Sequence, residues 1–398
     1  MGAVCKHGGD RRRAYLRAAC YFPRVRDDLD LRPWFEHAVA QVPGVRVFDA
    51  HMHIGENDPD GFRATGADIL AALDLARARG VVFPFQEPEG YHEANDHVLA
   101  DAEASGGRLV AFCRLDPRHE DAPAEAERLL DAGARGIKLH PRAERFTLDE
   151  PEVRRVFEIA NERRVPVLIH AGRGIPALGR HATQLAEALP GARVILAHCG
   201  ISDLSWIWRV AQRTPNLYFD TSWWSPADVF ATLSLVPPGQ VLFASDAPYG
   251  TPLQHALFVI RCALQARLSH DQVRSVMGGQ IERLVNGEDP LDMGAAPGAR
   301  GQASDVLLAR VETFLTTAIG RVFGGVEADE LLGLARLACY TGEEEEHRAV
   351  FASILRLLDL HERHGELRGP GARGVHLILT AICLAATPDV PVPVPTAP

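Results

Sequence analysis

Val47-Phe48-Asp49-Ala50-His51-Met52-His53-Ile54-Gly55 is an apolar run that ends in two alternating histidines. Residues i and i+2 of a strand point the same way, so His51 and His53 can seize one ion together. Four more short apolar runs end in side chains of the same kind: Gly136-Ile137-Lys138-Leu139-His140, Val167-Leu168-Ile169-His170, Val194-Ile195-Leu196-Ala197-His198 and Val241-Leu242-Phe243-Ala244-Ser245-Asp246. A barrel of parallel strands carries the carboxyl ends of all its strands to one face, so these distant segments can share one pocket.

Outward from that first run, β-type segments recur at 45–54, 80–85, 108–115, 134–140, 166–170, 192–198, 217–222 and 240–246. Their spacing of ~25–35 residues is that of a strand-loop-helix-loop unit, and the whole span approaches the ~250 residues of eight such units. The intervening segments read as amphipathic helices. Asp149-Glu150-Pro151 places acid and proline at a helix start, and Val153, Val156, Phe157 and Ala160 then form an apolar stripe. The expected fold is α/β, a (β/α)8 barrel with a small C-terminal all-α appendage.

Composition divides the chain into an N-terminal helical arm (1–44), the barrel (45–287), a linker (288–301), a helical appendage (302–387) and a disordered proline-rich tail (388–398). Closing helices are expected at 253–268 and 272–285, and appendage helices at 304–323, 328–340, 344–361 and 375–386. The arm, helical around 31–42, is expected to cap the open bottom of the barrel. The appendage is expected to mediate self-association or partner contact without a catalytic group, and truncation after Gly287 to leave a foldable barrel.

A net charge of -10 lacks the concentrated basic footprint that nucleic-acid binding needs. The cysteines, Cys5, Cys20, Cys113, Cys199, Cys262, Cys339 and Cys383, are scattered and odd in number, which fits reduced thiols in a cytoplasm. No stretch reaches the ~18 apolar residues of a membrane span. The first residues lack the apolar heart of a signal peptide. A cytoplasmic enzyme acting on a small molecule is the expectation.

Imidazole and carboxylate suit Zn²⁺, Mn²⁺ or Fe²⁺, and no thiolate stands in the set. A catalytic ion keeps an open position where bound water reaches a pKa of ~7, beside a base that takes the proton. The ordered segments Asp49-Ala50-His51-Met52-His53-Ile54-Gly55, Asn95-Asp96, Leu115-Asp116-Pro117, Gly136-Ile137-Lys138-Leu139-His140-Pro141, His170-Ala171-Gly172, His198-Cys199-Gly200 and Ser245-Asp246-Ala247-Pro248 resemble the amidohydrolase superfamily, and within it the amidohydrolase-2 group of barrel hydrolases, decarboxylases and hydratases. The resemblance implies that His51, His53, His170 and Asp246 hold one divalent ion, zinc before manganese or iron. It implies that His198 is the general acid/base. One departure is Gly278-Gly279-Gln280, where the group usually carries a Gly-Asn pair.

Lys138, His140, Arg142 and Arg173 are candidates for a positive rim that recognises a substrate carboxylate, and Trp223, with Trp224, for an aromatic wall. A strand-four lysine is carboxylated and bridges two ions in some branches of the superfamily; a substrate-side cation is preferred here. The first expectation for the reaction is hydrolysis of a small carboxylate-bearing amide, ester or lactone, with Asp246 and His198 handling the proton. Decarboxylation of an aromatic or enol-type acid is the alternative. A non-catalytic metal-binding or sensing module is the reading from another class.

Overall fold

Each of the eight β-type segments becomes a strand in the computed structural model, which describes residues 25–172, 178–298, 305–342, 344–364 and 374–393. The strands are β1 (Phe48–Ile54), β2 (Arg79–Pro84), β3 (Leu109–Ala111 and Cys113–Arg114), β4 (Ile137–Leu139), β5 (Pro166–Ile169), β6 (Arg193–Leu196), β7 (Leu217–Asp220) and β8 (Val241–Leu242). All pair in parallel with their sequence neighbours. The chain beyond β8 closes the ring on β1, through Ala50 N donating to Phe243 O (2.9 Å) and His53 N to Ala247 O (2.7 Å). The fold is an α/β TIM-like barrel followed by an all-α unit.

The strands are buried on both faces, which is why they read as unbroken apolar runs rather than as alternating ones. Phe48, Ala50, Val81, Phe83, Phe112, Leu168, Ile195 and Leu242 fill the inside of the barrel. Their neighbours along each strand face outward and pack on the helices.

An arm helix, α1 (Val25–Ala40), precedes the barrel. The barrel helices are α2 (Gly66–Ala76), α3 (His92–Ala104), α4 (Ala122–Asp131), α5 (the single turn Pro141–Glu144), α6 (Pro151–Arg163), α7 (Gly179–Ala188), α8 (Leu204–Ala211), α9 (Pro226–Leu235), α10 (Pro252–Gln265), α11 (His270–Arg274) and α12 (Gln280–Val285). Helix α6 buries Val153, Val156, Phe157 and Ala160, the stripe read from the sequence. Helix α2 opens on a reciprocal capping box between Thr65 and Asp68, which satisfies backbone donors at its first turn. The single helix expected at 272–285 is broken. A Cβ on Gly278 would lie 2.8 Å from Arg46 O, so the chain there must run close under β1 and leaves helical geometry. Gln280, which departs from the group's Gly-Asn pattern, binds Gly239 O (2.6 Å) through Nε2 and Leu291 N (2.9 Å) through Oε1.

Four more helices follow: α13 (Val306–Phe323), α14 (Asp329–Ala338), α15 (Arg348–His364) and α16 (Val375–Ala386). Two expectations need correction. The arm does not cap the barrel's bottom: α1 lies along α10 and α16 at the barrel's side, burying Leu31, Trp34 and Phe35. The bottom is closed by Ile281, Leu284 and Val285 of α12, which join the interior cluster. The helical unit stands as the expected all-α appendage, and its apolar residues and the barrel's outer layer form one continuous core. Helix α10 shows why. Of its 14 residues 13 are buried, because the barrel covers one face while α1 and α16 cover the other. The segment from residue 388, expected to trail off, is held as far as it is described. Buried Arg261 donates to Thr387 O (2.8 Å), Val390 O (2.9 Å) and Pro391 O (2.8 Å). No helix among the described residues is long and apolar enough to cross a membrane.

Candidate metal centre

The carboxyl end of β1 brings His51 and His53 to the barrel mouth, and the turn after β8 brings Asp246 to meet them. His53 Nε2 lies 3.1 Å from Asp246 Oδ1, and His51 Nε2 lies 3.2 Å from the same oxygen. One donor atom from each residue falls within 4.8 Å of the others, close enough for a single ion. Asp246 adopts φ 57° and His198 φ 56°. Left-handed backbone at a non-glycine residue is costly, on the order of 1 kcal/mol or more, and such strain concentrates where a side chain must be aimed.

Hydrogen bonds fix which ring nitrogens are available. His51 Nδ1 meets the Asp220 carboxylate at 2.8 Å, an acceptor, so the ring carries its proton there and turns the Nε2 lone pair towards Asp246. His198 Nδ1 lies 2.7 Å from Ser222 O, which also can only accept. Its Nε2 therefore holds a lone pair, and His170 Nδ1, 3.0 Å away, donates to it. That leaves His170 Nε2 as a lone pair, buried and without a hydrogen-bond partner among the described residues. Two imidazoles, His51 and His170, are thus presented in the tautomer a metal needs, which is the fit expected of a divalent-ion site.

Charge states agree. Burial, with Lys138 and His198 adding to it, pulls the His51 pKa down to about 3 against the opposing pull of Asp220. His53, His140 and His170 are likewise lowered, first by burial and then by neighbouring cationic groups. All are neutral at pH 7. Burial alone would raise Asp220, but His51, His198 and the Ser222 hydroxyl outweigh it and hold the carboxylate below its usual range. Asp246 keeps a fifth of its side-chain surface open, yet desolvation still raises it well above the carboxylate range, only partly offset by Lys138.

The mouth opens into a cavity of about 690 Å³. His53, His140, Arg142, His170, His198, Trp223 and Asp246 line it. His140 stacks on His170 (ring centroids 3.9 Å apart), and Trp223 faces His198 at 6.1 Å. Arg142 is exposed at the entrance. Lys138 stands elsewhere than expected. Fully buried, it lies below the cavity with Nζ 3.2 Å from His51 Nε2 and 4.7 Å from the Phe83 ring centre, on the metal side rather than the substrate rim. Arg173 lies outside the described residues.

Several residues escaped the sequence reading. Asp220 ends the run Leu217-Tyr218-Phe219-Asp220 as the other site residues end theirs, a signal that was there to be used. Buried Arg114, at the end of β3, donates to Glu144 Oε1 (2.8 Å) and Pro84 O (3.3 Å), and its Nε has no partner among the described residues. It too lines the cavity. Phe323, His376 and Leu379 of the helical unit close the far side, and nothing in their local sequence marks them.

A family model described as amidohydrolase matches residues 48–286. No curated protein matches. Among solved structures, a Staphylococcus aureus protein named as an amidohydrolase matches with 16% identity and a TM-score of 0.50, over 61% of this chain and 99% of its own. A 5-carboxyvanillate decarboxylase from Sphingomonas paucimobilis matches with 16% identity and a TM-score of 0.48, over 61% and 99%. A dihydroxybenzoic acid decarboxylase from Polaromonas sp. JS666, solved with manganese, matches with 15% identity and a TM-score of 0.48, over 61% and 97%. At such identities the likeness is one of fold.

Proposed function

The chain belongs to the amidohydrolase family, and from that premise we propose that it is a metal-dependent decarboxylase of an aromatic or enol-type acid. The observation that carries this reading is the cavity lining. Phe62, Phe85 and Tyr249 stand beside His53, and Trp223 and Trp224 beyond His198, while Arg114, Arg142 and Arg145 offer cationic groups to a carboxylate. A flat, anionic ring suits such a slot better than a flexible amide does. The sequence put hydrolysis first, and the aromatic lining supports the reverse order.

His51, His53, His170 and Asp246 would hold one divalent ion, zinc or manganese by donor type. When bound, the ion supplies Lewis acidity and a fixed positive charge beside the substrate's oxygens. The arginines draw the acid in, and the rings orient it and exclude water. The bond between ring and carboxyl carbon then breaks, CO₂ leaves, and the electron pair stays on the ring carbon. A proton delivered to that carbon completes the exchange. Asp246 and His198 both line the cavity, where they would handle that proton. His198, neutral with its lone pair on Nε2, is placed to relay the replacement proton.

Hydrolysis keeps one supporting observation, the same His198 lone pair, which could act as a base towards water. The non-catalytic module is disfavoured because a storage site gains nothing from His198 held in a defined tautomer. The test is to load the purified protein with Zn²⁺ or Mn²⁺ and supply hydroxy-substituted benzoates in parallel with carboxylate-bearing lactones and esters. CO₂ release from the aromatic acids is the expected result. Ring opening of lactones with no CO₂ from any acid would overturn it.

A further inference from the structure

The barrel's own residues surround the metal end of the cavity, but they do not close it. Phe323 at the last turn of α13, with His376 and Leu379 on α16, forms the far wall. Those helices are additional to the barrel: the family model ends at residue 286, and the S. aureus barrel is matched almost from end to end by 61% of this chain.

The wall is built rather than incidental. Phe323 meets Trp224 edge-on (5.8 Å, 88°), Trp224 lies 6.1 Å from Trp223, and Trp223 lies 6.1 Å from His198. A line of rings therefore runs from the helical unit to the proton-handling histidine. His376 is held from behind. The Thr251 hydroxyl donates to Asp28 Oδ1 (2.7 Å) and lies 3.4 Å from His376 Nδ1, while Gly374 N donates to Asp27 Oδ2 (2.9 Å). Two fully buried aspartates of α1 thus clamp the start of α16 against the cavity.

Size points to the occupant. At about 690 Å³ the cavity falls in the range of ~300–1,000 Å³ that takes drug-sized ligands, more than a single-ring acid fills. We propose that the C-terminal helical unit is the substrate-selecting wall of the active site, and that Phe323 and Leu379 receive a second aromatic ring, or an apolar group of like size, on the substrate's end remote from the metal. This rests on the aromatic-acid reading above.

The test uses the full-length, metal-loaded protein and two probes, benzoate and biphenyl-4-carboxylate, with binding followed by tryptophan fluorescence and by calorimetry. The wild type should prefer the biphenyl acid, and Phe323→Ala and Leu379→Ala should each lower that preference about tenfold, the loss of one well-packed contact. Leu379→Trp, which fills the space, should reverse the preference. Metal content and the thermal transition show that each variant is folded. If the wild type binds neither acid, the aromatic-acid reading fails and the wall assignment with it. If the wild type binds both acids but the ratio is the same in all three variants, the wall assignment alone fails.

Discussion

Helix α10 has two different neighbours. On its barrel side lies a mouth crowded with buried polar groups, each held by a hydrogen bond of definite direction: His51 to Asp220, His198 to Ser222 O, His170 to His198. On its other side lies α16, of whose 12 residues 11 are buried and most are apolar. The first region costs stability, because desolvated imidazoles and carboxylates must be matched to partners. The second supplies it through apolar burial. Their contact teaches that the helical unit is the support of the mouth as well as one of its walls.

Truncation after Gly287 is the severest way to break that comparison. It strips α16 from α10 and leaves a long apolar face in water, so the product should be insoluble or lack a cooperative thermal transition. A soluble barrel with a sharp transition by circular dichroism would restore the independence first expected from the sequence. Within the mouth, His51→Ala should abolish retention of the ion on gel filtration, since it removes the ring through which Asp220 orients the site. Metal content equal to wild type would remove His51 from the ligand set. His198→Ala should keep the ion yet lower turnover by roughly 10²–10⁴-fold, the range for loss of a general acid or base. Loss of the ion from that variant would make His198 a ligand.

The two regions also differ in how far the sequence exposed them. The eight strands and the start of α6 were legible because parallel strands buried on both faces leave apolar runs, and Pro151 with an acidic first turn marks a start. His51, His53 and Asp246 were legible because a metal site demands particular residue types at strand ends. Lys138 was misplaced although its strand face was read correctly. Inward-pointing residues of a barrel occupy successive layers, and alternation alone does not say which layer meets the cavity. Phe323, His376 and Leu379 could not be read at all. Their role comes from the docking of α13 and α16 on the barrel, and an ordinary phenylalanine, histidine or leucine on a helix carries no trace of what another element brings to it. The shared face of α10 left a better clue, since a helix apolar nearly all round must be covered on both sides.

The mildest prediction concerns the residue that joins the regions. His255 of α10 donates from Nε2 to Thr221 O (2.6 Å), beside Asp220, and packs edge-on against Phe258 (5.2 Å). Burial, opposed by that hydrogen bond, lowers its pKa from 6.5 to about 4. Between those values the unfolded chain takes up a proton that the folded chain refuses, so His255 removes stability as pH falls from about 6.5 towards 4 and adds no further dependence below. Glutamine can reach the same carbonyl without titrating. His255→Gln should therefore flatten the fall in stability between pH 7 and pH 5 by roughly 1–2 kcal/mol, measured by urea unfolding of the metal-loaded protein at each pH. Parallel curves for variant and wild type would mean that the imidazole titrates alike in the folded and unfolded chain. The junction between mouth and helical unit would then be wetter than the burial of α10 implies.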